Sequence, residues 1–212
     1  EGVAVLQAAL ERYPQVKHLV VTCNQMGQMG HAFKDHANVF SIILDDEVND
    51  RGLAMTSSFS NMVIVAQALA NFRRSESYGL VLDSLVACAS ATLHSAANVC
   101  ERLVAEGFSR VCFLGTGPLR GAATESGLKV LELTDGRVMS LSESFLGLRH
   151  GPLSAIDSDT LVVAFLSGDE RRRAFEWDLI QEIYDKELTA KSLLVLPGKC
   201  RKASEFKQNT LF

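Results

Sequence analysis

Residues 111–118 read Val111-Cys112-Phe113-Leu114-Gly115-Thr116-Gly117-Pro118. An apolar run of strand length passes directly into Gly-Thr-Gly and a proline. Such a run is typical of a strand buried on both faces, as in a parallel sheet. Pro118 suits the first turn of a helix, where its missing N–H has no intrahelical partner. The segment therefore predicts a β/α unit, with ligand space at the carboxyl end of the strand. Its glycines let backbone approach a ligand, and the helix amides beyond favour an anion. A tight strand–helix turn without any ligand uses the same residues. The third glycine of G-x-G-x-x-G is not at its place, so the dinucleotide fingerprint is not met, and the segment is no P-loop.

The same alternation extends in both directions. Upstream, 3–12 reads as a short amphipathic helix ended by Pro14. The runs His18 to Cys23 and Val39 to Leu44 read as strands, and Met62 to Phe72 as an apolar helix. Downstream of 111–118, a helix is expected over 118–133 and a short strand from Arg137 to Leu141. A strong strand follows from Thr160 to Leu166, then a helix over 170–188 and a last strand from Ser192 to Leu196. Between the halves, 79–106 carries an apolar stripe (Leu82, Leu85, Val86, Ala89, Leu93, Ala96, Cys100, Leu103) at helical period, stopped by Gly107. His94 lies near this stripe and reads as a packed histidine. Strands alternating with helices indicate an α/β chain with parallel sheets. The expected architecture is two flavodoxin-like subdomains whose parallel sheets are flanked by helices, the first incomplete. Residues 1–74 form the partial first subdomain, 75–78 a polar linker and 79–198 the second. The polar tail 199–212 has no readable pattern.

Composition excludes several classes. Of the 212 residues, 47% are hydrophobic and 22% charged, and the formal net charge is -4, which leaves no basic footprint for nucleic acid. Arg171-Arg172-Arg173 lies among Asp169, Glu170 and Glu176 and reads as a solvated helix face. The five cysteines include no C-x-x-C pair, so neither a disulfide framework nor a zinc site is indicated, and no metal or other cofactor is expected. No apolar run approaches the roughly 20 residues of a membrane span. No signal pattern opens the chain, so a cytoplasmic protein is expected. Glu1 begins inside a helical pattern, which reads as a piece of a longer chain.

Three further stretches carry chemistry. Glu125, Lys129 and Glu132 stand at i, i+4 and i+7 on one helix face. They form an exposed charge ladder or, because Lys129-Val130-Leu131-Glu132-Leu133 mixes them with apolar residues, a partly buried group with a tuned pKa. His150, in Arg149-His150-Gly151-Pro152, falls in a Gly/Pro-flanked loop between strands, where a histidine is available for proton transfer. Asn49-Asp50-Arg51-Gly52 leads to Met55-Thr56-Ser57-Ser58, hydroxyls that suit a helix cap, a phosphate or sugar hydroxyls.

In combination these residues resemble a known family. Gly115 to Leu119, the Glu125/Lys129/Glu132 pattern and Arg149 to Pro152 are similar to the second half of double sugar-isomerase (SIS) domain proteins. The nearest group is that of tagatose-6-phosphate ketose/aldose isomerases and galactosamine-6-phosphate deaminases. The resemblance spans nearly all of 1–196. It implies that Glu132 is the base moving a proton between C1 and C2. His150 would assist ring opening, reaching the neighbouring subunit's site, and Lys129 would line the sugar site. Thr56 and Ser57 would contact the sugar, with Gly115 and Thr116 beside the pocket. It implies a homodimer or larger homo-oligomer acting on a small sugar phosphate, without metal. The family's Ser-x-Ser-Gly-x-Ser/Thr phosphate loop would fall just before Glu1, and its C-terminal closing segment finds no match in 199–212. The expected activity is deamination and isomerisation of a 2-amino-2-deoxyhexose 6-phosphate. The alternatives are a plain ketose/aldose isomerase and a non-catalytic module that senses sugar phosphates.

Overall fold

The computed structural model describes residues 1–198 and 209–211. The chain forms two compact units, Glu1–Leu80 and Val81–Phe212.

In the first unit, α1 (Gly2–Arg12) precedes β1 (His18–Thr22). A short α2 (Gln28–His31) leads to β2 (Val39–Ile43), and α3 (Ser57–Ala70) follows. β1 and β2 pair in parallel, His18 opposite Val39. Leu6 and Leu10 of α1 bury against Val20, with Met29, Phe33 and Val39 packed around them. The sheet has two strands, and Leu19 and Phe40 are exposed. The expected linker at 75–78 is instead helical. It is the first turn of α4 (Ser75–Glu106), 32 residues long, entered from a 3-10 turn at Phe72–Arg74. Ser75 and Ser77 are compatible with a helix start, and their polarity marks an exposed face rather than a break.

α4 differs from expectation in a second respect. Of the expected apolar stripe only Leu103 is buried, together with Val99 outside it, while Leu85, Val86 and Leu93 are exposed. The helix over Phe72–Glu106 is long and apolar enough to cross a bilayer by length and composition, contrary to the sequence reading. Ala, Ser and Thr make up much of that stretch, and its last turns pack through Val99 and Leu103 onto the second unit's sheet.

The second unit is a five-stranded parallel sheet. It runs β3 (Arg110–Gly115), α5 (Leu119–Leu133), β4 (Met139–Glu143), α6 (Phe145–Arg149), β5 (Thr160–Phe165), α7 (Glu170–Asp185), β6 (Ser192–Val195) and β7 (Asn209–Leu211). The strand order is β4-β3-β5-β6-β7, every neighbour parallel. Counted within the unit this is the 2-1-3-4-5 order of a flavodoxin-like sheet, as expected. Leu114, Val162, Ala164 and Leu194 are fully buried on one face against Phe145, Leu148, Trp177 and Ile180. Val111, Phe113, Leu161 and Val163 face the other way, onto α4 and α5. β4 starts two residues later than the sequence reading placed it. Asp135 and Gly136 take left-handed backbone and lengthen the turn after α5. β7 lies within the unread tail; residues 199–208 and 212 fall outside the described residues.

Candidate functional site

The helix that carries the charge ladder is seated by small residues. At Gly115 an added Cβ would fall 2.1 Å from the Leu119 carbonyl oxygen, so only glycine permits the tight turn from β3 into α5. Gly117 takes φ +59, a left-handed conformation that glycine accepts freely. One turn further, Ala123 and Gly127 are buried against β4. Ser142 Oγ donates to the Ala123 carbonyl at 2.9 Å and Ser140 Oγ to that of Gly127 at 2.8 Å. These contacts fix the rotation of α5 about its axis, and the opposite face carries the charges.

On that face Lys129 Nζ donates to Glu132 Oε2 at 2.5 Å and lies 3.4 Å from Glu125 Oε1. The side chains of Lys129, Glu125 and Glu132 are 17%, 21% and 31% exposed. The hydrogen bond to Glu132, with help from Glu125, raises the Lys129 pKa against an opposing desolvation. Lys129 therefore stays a cation between two carboxylates. Glu132 is less enclosed than the apolar context suggested. Its neighbour Leu133 is 69% exposed, because positions 123, 127 and 130 take the buried face.

His150 caps the C-terminus of α6 and is exposed, where the sequence suggested an open loop. The short helix is anchored from several sides. Ser144 Oγ accepts the Gly147 N–H at 3.0 Å, and Phe145 and Leu148 are fully buried. Glu143 accepts the Ser144 N–H at 2.7 Å and pairs with Arg120 of α5. These contacts hold the Glu143 pKa below the usual range, the Ser144 N–H contributing most. A Cβ at Gly147 would come 2.5 Å from Glu143 Oε1. Arg149 Nε donates to Glu182 of α7 at 2.9 Å, and Lys186 holds the same carboxylate at 2.6 Å. The His150 ring makes no hydrogen bond among the described residues and is free to meet a substrate. Glu143, Arg120 and Glu182 escaped sequence reading because their partners are 23 to 33 residues away.

Thr56 and Ser57 belong to the first unit and are engaged by Asp50. Its carboxylate accepts the N–H groups of Thr56 (2.9 Å), Ser57 (3.0 Å) and Ser58 (2.9 Å). It also accepts the hydroxyls of Thr56 (2.9 Å) and Ser58 (2.7 Å). The start of α3 is thus already occupied by an internal anion, and five donors hold the Asp50 pKa far below the usual carboxylate range, Ser58 first. The Ser57 hydroxyl remains for a ligand.

Gly115 ends β3 beside Phe165 of β5, and Thr116 follows it. Thr116, Leu119, Ser167, Asp169, Arg172 and Pro197 line a cleft of about 520 Å³ there. Glu125, Lys129, Glu132 and His150 are not among its walls. Beneath it Glu176 is 1% exposed, with Oε2 accepting the Ser167 N–H at 2.7 Å. Among the described residues no group of three metal-ligating side chains gathers.

No protein-family model matches the chain. It is 36% identical over 185 residues to the D-galactosamine-6-phosphate deaminase AgaS of Escherichia coli O157:H7, covering 87% of this chain and 48% of that protein. The AgaS of Shewanella sp. (strain ANA-3) is 36% identical over 202 residues, covering 92% and 49%. The crystal structure of tagatose-6-phosphate ketose/aldose isomerase from Escherichia coli superposes with a TM-score of 0.87 at 31% identity, over 99% of this chain and 56% of that one. The chain spans about half the length of the curated relatives it matches. It is a homologue of the D-galactosamine-6-phosphate deaminases AgaS, with the parallel α/β fold of SIS phosphosugar isomerases.

Proposed function

We propose that the full-length protein is a cytoplasmic enzyme that deaminates and isomerises a 2-amino-2-deoxyhexose 6-phosphate. The observation that carries this reading is Lys129 held between Glu125 and Glu132 on the outer face of α5. A sensor of sugar phosphates needs no such acid–base group, whereas a proton shift between C1 and C2 does.

In the proposed sequence His150 exchanges a proton with the ring oxygen, opening the sugar to its aldehyde. Glu132 then removes the C2 proton and returns it to C1. Lys129, kept cationic by its two carboxylates, faces the negative charge that develops on the enediol-like intermediate. The product is an imine at C2. Water adds to it and ammonia leaves, so the ketose 6-phosphate forms with consumption of one water. A substrate with a hydroxyl at C2 stops at the ketose, so plain isomerisation uses the same groups. The solved isomerase that superposes on the chain favours that second reading. The Ser57 hydroxyl, left free by Asp50, is proposed to contact the sugar, and a homo-oligomer is proposed to bring His150 to a neighbouring subunit's site.

Glu132→Gln in the full-length protein tests both. Ammonia release from galactosamine 6-phosphate is expected to fall by about 10²–10⁴-fold, the span of general base catalysis, with binding still measurable. Ammonia release at the wild-type rate would refute the role of Glu132. Conversion of a 2-hydroxy aldose 6-phosphate to its ketose by the wild type, with no ammonia released from galactosamine 6-phosphate, would select the plain isomerase.

A further inference from the structure

Among the described residues the His150 ring has no hydrogen-bond partner, so its place is set by its backbone alone. Upstream of it, the first turn of α6 is held by the Ser144 cap and by burial of Phe145 and Leu148. Downstream, Leu153 of the 3-10 turn Pro152–Ala155 packs against the core. Between His150 and that turn stands Gly151, with nothing within 4 Å of its would-be Cβ. At five residues α6 is little more than one turn, too short to be stable without tertiary contacts. Its C-terminal end therefore needs a tie of its own.

Glu182 of α7 supplies that tie. Its Oε2 accepts Arg149 Nε at 2.9 Å, and Arg149 is the residue before His150. Its Oε1 accepts Lys186 Nζ at 2.6 Å, one turn further along α7. One carboxylate thus joins the last residue of α6 to a 16-residue helix whose Trp177, Leu179, Ile180 and Ile183 are buried. Lys186 occupies the second oxygen and so restricts the orientation in which Glu182 meets Arg149. The side chains of Arg149 and Glu182 are 27% and 25% exposed, so solvent screens the pair less than one on the open surface. Lys186 first, and Arg149 after it, hold the Glu182 pKa below the usual range against desolvation, which keeps the carboxylate ionised at neutral pH. Among the described residues no other side-chain hydrogen bond from a distant element reaches Arg149 or His150.

We infer that Glu182 is a positioning residue for the proposed reaction: through Arg149 it fixes the C-terminal end of α6 and so directs His150 toward the ring oxygen of the sugar. The inference rests on the role given to His150 above. A catalytic group displaced by about 1 Å loses about 10²-fold in rate, even when the change lies far from the chemistry.

A double-mutant cycle between Glu182 and His150 in the full-length protein tests it, read as ketose 6-phosphate formed from the sugar phosphate that the wild type turns over. Glu182→Ala is expected to lower kcat by about 10–10²-fold and to leave KM within about threefold. Glu182→Gln keeps an acceptor for Arg149 Nε and is expected to recover most of that loss. In the His150→Ala background, Glu182→Ala is expected to change the rate by less than about twofold, because an effect that runs through His150 disappears with it. An equal fold-loss in both backgrounds marks a merely structural role and would overturn the inference. So would a wild-type rate in Glu182→Ala while His150→Ala is impaired. A wild-type rate in His150→Ala would instead remove the role of His150, and this inference with it. Alanine favours a helix, so α7 is expected to stay folded. Arg149→Leu breaks the same tie from the other side, and repeats the cycle should Glu182→Ala unfold.

Discussion

Replacing Gly115 with alanine tests how the charged face of α5 is set. The new Cβ would meet the Leu119 carbonyl oxygen at 2.1 Å, its carbon at 2.5 Å and the Arg120 nitrogen at 3.0 Å. All three are backbone atoms of the first turn of α5, so no side-chain rotation relieves the overlap. The helix has to retreat by more than 1 Å to restore an ordinary contact. That retreat strains a packed interface, at about 1–3 kcal/mol for overpacking. It also pulls the Ala123 and Gly127 carbonyls from Ser142 and Ser140. Two such hydrogen bonds contribute about 1 kcal/mol each. The expected loss is about 3–5 kcal/mol, a large share of the roughly 5–15 kcal/mol that holds a domain. With a urea slope of about 1–3 kcal/mol/M, the unfolding midpoint seen by circular dichroism should fall by about 1 M or more. Gly121→Ala is the control. Nothing lies within 4 Å of its would-be Cβ, so it should be neutral or raise stability by up to about 1 kcal/mol. A Gly115→Ala midpoint equal to that of Gly121→Ala would refute the account of the turn.

Asp50→Ala should loosen the start of α3, seen as faster amide exchange at Ser57 and Ser58; unchanged protection would show that the cap contributes nothing. The folded-state pKa of Asp50 is depressed, so its contribution is present above about pH 4 and fades as pH falls toward the folded value. Wild type and variant should therefore converge in strong acid. Glu176 has the opposite sign. Burial raises its folded-state pKa, so it costs stability as pH rises from about 4.3, its unfolded value, through the folded value. Glu176→Gln should be more stable than wild type at pH 8 by urea titration and nearly equal at pH 4; a pH-independent difference would remove ionisation as the cause.

The β/α order was legible because the apolar runs at 111–114 and 160–166 are long, and because Gly107 and Pro118 punctuate the chain. Periodicity also placed Glu125, Lys129 and Glu132 on one face, since i, i+4, i+7 spacing is a local property. α6 was not legible: five residues between Ser144 and His150 are too few for a period, and the helix stands because Phe145 and Leu148 are buried. Asp50 was read only as part of the stretch that leads to the hydroxyls of Thr56, Ser57 and Ser58. Its role depends on reaching donors six to eight residues ahead, a geometry that spacing alone does not specify. Glu176 looked like one more charge on a solvated helix, since nothing local announces that Ser167 folds over it.

Trp177 is the single tryptophan of the chain, 4% exposed in the core beneath the second unit's sheet and next in sequence to Glu176. Indole emission from this chain is consequently a signal of one unit only. Its wavelength follows solvent entry around α7, while loss of α1 or α3 passes unseen. Read together with a helix-wide signal, it separates melting of the two halves without any introduced label.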